Sequence, residues 1–246
     1  MNNYQNQWPG FEQQQNQTNS IGFDRAVGKV MRNVYMRMFL ALLVTAATAF
    51  FCASSEAILQ LVFSGRFPFF VLLLVEVGLV IYLTSRINKM SITTANVIFY
   101  LYSIINGVVF SCILLAYTMS SIVSTFVITA GVFGAMSLYG YFTGNDLSKL
   151  GSFLFMALIG LILCSIVNIF MQSSQFEWII SFAGVAIFIG LTAWDTQKIK
   201  RMVETSYAYG SSVEVSKIAT MGALSLYLDF VNLFLYLLRF FGNSRN

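Results

Sequence analysis

Five ionisable side chains lie where a charge is expensive. Glu76 sits midway along an apolar run, Asp195 closes another, and Asp229 lies inside the last. Arg86 and Arg239 stand near the ends of the runs that hold Glu76 and Asp229. A charge at the centre of a bilayer costs at least about 2.5–3.5 kcal/mol, so such residues face a bundle interior or a wet cavity and usually mark function. Their spacing suggests how they pair. Glu76 to Arg86 is ten residues, as is Asp229 to Arg239, or about 15 Å of helix. If the two runs are antiparallel, levelling Arg86 with Asp229 also levels Glu76 with Arg239. Asp195 then joins the inner group, giving two carboxylates and one cation.

Two carboxylates in a dry site cannot both ionise cheaply, and they titrate as a unit. A proton shared by Asp195 and Asp229 would bridge two helices. Its loss would leave a repulsion that Arg86 only partly offsets, making a pH-dependent latch. Carboxylates in a wet membrane cavity are also hard oxygen ligands suited to Ca²⁺, so the same aspartates are candidate transient contacts for that ion. Glu76–Arg239 forms a second ion pair, and Asn106, Asn232 and Ser225 are supporting polar groups. In a purely structural role these residues would be buried ion pairs that fix helix register.

Other chemistries lack their residues. The chain has no histidine, so a Ser/His/Asp triad, a zincin motif and an imidazole pH switch are excluded. Two membrane aspartates sharing a proton would also suit an intramembrane aspartyl protease. Asp229, however, follows Leu226-Tyr227-Leu228 and lacks the GxGD signature of that class. The reading is of a non-enzyme that needs no cofactor, with a proton-coupled transporter left open.

The elements that must hold these groups are membrane helices. The chain is 57% hydrophobic and 10% charged, whereas soluble domains are about 25% charged. Seven apolar runs, near residues 34–54, 68–85, 97–117, 121–142, 150–171, 178–195 and 220–241, meet the length a span requires. The longest connection is 196–219. On the last run Gly222, Ser225, Asp229, Asn232, Tyr236 and Arg239 recur every three or four residues and share one face, which must point into the bundle. Residues 1–24 form an Asn/Gln-rich tail expected to be disordered and cytoplasmic, and residues 25–246 form the membrane domain. With the N-terminus inside, 11 Lys and Arg side chains fall inside and 3 outside, which sets that orientation. The basic residues are spread over short loops, so topology explains them and a nucleic-acid partner is not called for.

The segments around the two aspartates resemble the Bax inhibitor-1 family, also called the transmembrane BAX inhibitor motif family. They are Gly190-Leu191-Thr192-Ala193-Trp194-Asp195-Thr196-Gln197-Lys198 and Ala223-Leu224-Ser225-Leu226-Tyr227-Leu228-Asp229-Phe230-Val231-Asn232. Asn106-Gly107 with Phe110-Ser111 is similar to a further family segment. Trp194 stands where the family more often has Tyr. The resemblance implies an all-α membrane protein, a seven-transmembrane-helix bundle with the seventh helix central and the N-terminus cytoplasmic. It implies a pH-sensitive Ca²⁺ leak whose latch is Asp195 and Asp229 with Arg86 beside them, and Glu76–Arg239 as a second pair.

The expected partners are therefore the bilayer, Ca²⁺ as permeant ion, and protons. The resemblance also implies an alternative function, regulatory binding to a membrane-anchored ATP-dependent protease, for which the tail would serve as a handle. A prokaryotic plasma (inner) membrane is expected, with the endoplasmic reticulum as the alternative.

Overall fold

The computed structural model describes the fold of residues 9–63, 65–208 and 212–245. Eight α-helices follow in chain order: α1 Pro9–Ala53, α2 Glu56–Phe63, α3 Arg66–Arg86, α4 Ile92–Ala116, α5 Met119–Phe142, α6 Ser148–Met171, α7 Ser174–Ala208 and α8 Ser212–Phe241. Among the described residues, six helical segments are long and apolar enough to cross a membrane, the last being Val215–Phe241. The seven-run reading differs from these six by α3. Membrane helices satisfy every backbone group within the segment, which is why lipid selects this class.

Local chemistry sets the boundaries. Ser91 caps α4 by accepting a hydrogen bond from the Thr94 amide at 3.1 Å, and Thr118 caps α5 by accepting from Ser121, the usual service of a hydroxyl at an N-cap. Pro9 begins α1, where its missing N–H costs nothing. Helical backbone thus starts inside the stretch read as an unstructured tail, whose Gln and Glu residues are good helix formers. Residues 1–8 lie outside the described residues.

Two further differences from the sequence reading bear on the site. The connection 196–219 is mostly helix: α7 runs on to Ala208 and α8 begins at Ser212. The α7 extension looks polar, yet Ile199, Val203 and Ser206 fall on one face and are buried. That stripe packs the extension instead of leaving it a loop. The short helix α2 occupies a stretch read as a loop.

α8 packs along α7 and also touches α1, α4 and α5. Its span is 67% buried, against 11–39% for the other five. Aromatic edges hold it from several sides: Phe126 and Phe133 of α5 meet Phe230 at 5.3 and 5.4 Å, and Phe99 and Tyr102 of α4 each meet Tyr227 at 5.8 Å. Such pairs add to plain area burial. At its far end, the segment after α8 is stitched to the α4–α5 turn. Thr118 donates its amide to Asn243 O at 3.1 Å, and Arg245 donates to Ala116 O at 2.8 Å.

Candidate functional site: an aspartate pair between two helices

The last turns of the α7 span are pressed between two neighbours. A Cβ at Gly140 of α5 would collide with the Ala193 carbonyl, and one at Gly151 of α6 would collide with the Trp194 ring. Only glycine lets backbone or ring approach so closely. These contacts fix the rotation of α7 at Ala193-Trp194, and with it the direction taken by Asp195.

That direction is toward α8. Ser225 of α8 is a polar neighbour of the Asp195 carboxylate. Asp229 follows Ser225 by four residues on the same helix, so it stands one turn further along the same face. Asp229 is 4% exposed, and its Oδ2 has no hydrogen-bond partner. Asp195 is half-buried. Asp229 lies in the field of Asp195, and Lys198 is the cation whose charge acts on both. Lys198 itself is exposed and lies over the Trp194 ring at 4.6 Å.

The cation is therefore not the one expected. Arg86 is exposed. The ion pairs among the described residues are Lys200–Glu204 at 3.9 Å and Arg201–Asp146 at 2.7 Å, so Arg86 pairs with neither aspartate. Glu76 does not pair with Arg239 either. Arg239 is exposed and lies over the Tyr236 ring at 5.4 Å. The reason lies in packing: α3 packs against α4, and equal height along two antiparallel helices does not make them neighbours.

Glu76 belongs instead to a separate polar cluster. Its charge acts on the hydroxyls of Tyr102 and Tyr227, and its Oε1 has no hydrogen-bond partner. Asn106 donates to Tyr102 Oη at 3.1 Å, while its own Oδ1 has no partner. Thr45 Oγ1 and Tyr227 Oη are 2.6 Å apart. Asn232 donates to the Leu228 carbonyl of its own helix at 2.8 Å and joins neither cluster.

Sequence reading overlooked two further groups. Arg37 of α1 bonds Thr220, Asn96 Oδ1 and the Ser216 carbonyl, tying three helices with one guanidinium; the sequence counted it only as a positive charge near the inner face. Gln197, two residues after Asp195, clamps the α5–α6 connection. It accepts from the Leu147 amide at 2.9 Å and donates to Asn145 O at 2.7 Å. In that connection, Asp146 accepts from the Ser148 amide and from Arg201, and these contacts hold its carboxyl down at about 2.

Among the described residues there is no cluster of three or more Cys, Asp or Glu that could hold a metal. Two carboxylates on separate helices can share a proton, or meet a hard cation in passing.

A family model described as "Inhibitor of apoptosis-promoting Bax1" matches residues 27–246. Inner membrane protein YbhL of Escherichia coli K12 is 48% identical over 215 residues, covering 87% of this chain and 92% of YbhL. A protein of Rickettsia prowazekii is 44% identical over 224 residues, 91% of this chain and 93% of its own. A membrane protein of Streptococcus pyogenes serotype M1 is 39% identical over 167 residues, 68% and 71% of the two chains.

Proposed function

The chain belongs to the Bax inhibitor-1 family, and from that premise we propose that it is a pH-sensitive calcium leak gated by Asp195 and Asp229. It is a multi-pass protein of a bacterial inner membrane, as its apolar helices and its similarity to proteins named for that membrane indicate. Its spans number seven in this reading. The 21 residues of α3 rise about 32 Å, enough for a bilayer core, and α8 is the helix the others surround.

The observation that carries the proposal is the placement of two carboxylates on α7 and α8. Asp195 has Ser225 beside it, Asp229 is buried with one oxygen unpartnered, and a single lysine side chain acts on both. Removing a shared proton would put two negative charges at the contact of two helices with too little compensation. The contact would then separate or fill with water or a cation. This is a two-state element that protons and Ca²⁺ both bias, as a gate requires.

Glu76, with Asn106, Tyr102 and Tyr227, offers oxygen groups deeper along the same bundle. In this reading it is a second polar station for the permeating ion and makes no ion pair with Arg239. The protein does no bond chemistry and needs no resident cofactor; Ca²⁺ is its cargo. The test is Ca²⁺ entry into proteoliposomes across a pH series. Entry that changes with pH supports the proposal, and the absence of entry at every pH would refute it.

A further inference from the structure

α1 packs on α4 and α8, and α5 packs on α7 and α8. Between α1 and α5, at the Lys/Arg-rich end of the bundle, this leaves a groove of about 410 Å³. Gly28 of α1 and Gly134 of α5 line it, and a Cβ on either would meet nothing within 4 Å. Met31, Leu138 and Phe142 give it an apolar wall, and Leu138 and Phe142 are 60% and 74% exposed. The groove is therefore continuous with the surface that faces lipid. Ser137 also lines it and is only 5% exposed, yet its hydroxyl has no hydrogen-bond partner. Other hydroxyls in these helices bond a carbonyl one turn back, as Thr129 does with Thr125 O at 2.7 Å and Ser103 with Phe99 O at 3.0 Å. A buried polar group left unpaired is costly in hydrocarbon, so this one calls for a partner from outside the chain. Thr125 and Ser181 also lack partners, but neither lines this groove.

Depth names that partner. The 24 residues of α5, upright and centred, rise about 36 Å and overhang a hydrocarbon core of about 30 Å by about 3 Å at each end. Ser137 lies five residues before Phe142, about 7.5 Å from the helix end. That is just inside the boundary where acyl chains join their headgroups. We propose that the groove holds one acyl chain of an inner-leaflet diacyl phospholipid, and that the ester carbonyl of this chain accepts a hydrogen bond from the Ser137 hydroxyl. The chain itself lies along Gly134, Leu138 and Met31. The ligand is not selected by charge: Arg32 is exposed at the rim, and Lys200, Asp24 and Glu204 all act on Tyr141 beside it. The site does not depend on whether ions pass through the protein.

Native mass spectrometry of the full chain in detergent tests this with two forms of phosphatidylethanolamine, diester and diether, which differ only at the carbonyl. Wild type should retain the diester about fivefold more tightly, the weight of one hydrogen bond. Ser137→Ala should bring the two lipids to equal retention, and Gly134→Leu, which fills the groove, should weaken both. If the leucine variant does not fold, the wild-type comparison still decides. Equal retention of the two lipids by wild type, a diester preference that survives in Ser137→Ala, or a folded Gly134→Leu that holds both as wild type does would overturn the proposal. Displacement of the diester by an equal amount of palmitate would assign the groove to a free fatty acid and overturn it too.

Discussion

Ser225 of α8 stands beside the Asp195 carboxylate of α7, one helical turn from Asp229 on the same face. This contact ties the two halves of the aspartate pair to a single register between helices. It also explains why a polar stripe is kept on a helix that is otherwise buried on nearly every side. A slip of one residue between α7 and α8 would carry Asp195 off Ser225 and leave a half-buried carboxylate without that polar neighbour.

The contact sets the first prediction. Ser225→Ala should leave the protein folded and the flux pH-dependent, but displace the midpoint of the pH profile, the effect of taking a polar neighbour from a carboxylate. Flux in proteoliposomes measured across a pH series checks this. An unmoved midpoint would mean that Ser225 does not report on the pair.

The second prediction concerns Gly151. A methyl group there meets the Trp194 ring, so Gly151→Ala should destabilise by about 1–3 kcal/mol through overpacking. Thermal unfolding in detergent would show a lower midpoint. Adding Trp194→Tyr should recover part of the loss, because the smaller ring makes room. Gly140→Ala should show no such rescue, since there the obstacle is the Ala193 backbone.

Asp146 gives the third, and its sign follows from its folded value. Its carboxyl is held at about 2 by the Ser148 amide and hydroxyl and by Arg201, below the usual value near 3.9. A depressed folded value contributes stability above the unfolded value, lost as pH falls through the folded one. The Asp146–Arg201 contact should therefore persist at pH 3 and fail near pH 2. Carboxyl carbon shifts followed by NMR would show this, and Arg201→Gln should raise the titration midpoint.

A fourth separates two functions. Deleting residues 1–24 leaves nearly all of the Asp24–Ala53 span intact. A leak should survive the deletion in liposomes with its pH profile unchanged. A role that depends on a protease gripping the N-terminal segment would be lost, and loss of flux would count against a gate confined to α7 and α8.

How far these residues were legible in the sequence depends on what each signal measures. Asp195 and Asp229 stood out because charge in an apolar run is costly, and the stripe on α8 placed Ser225 on the face of Asp229. The pairings of Arg86 and Glu76 did not carry over, because spacing along two helices gives height and says nothing of which helices touch. Lys198 was counted as a loop residue because the reading stopped α7 at the membrane edge. The buried stripe of Ile199, Val203 and Ser206 was visible as helical spacing in a polar stretch and would have extended α7 past it. Gly140 and Gly151 were legible only as small residues, since the collision that explains each lies on a different helix.

The central claim is that one pair of carboxylates gates the flux. The most direct measurement is Ca²⁺ entry into proteoliposomes across a pH series for wild type, Asp195→Asn and Asp229→Asn. The account predicts a pH-dependent flux in wild type and a flat profile in each variant, because a lone carboxylate has no partner with which to share a proton. Variants that titrate as wild type does, or a wild type that passes no Ca²⁺ at any pH, would contradict it.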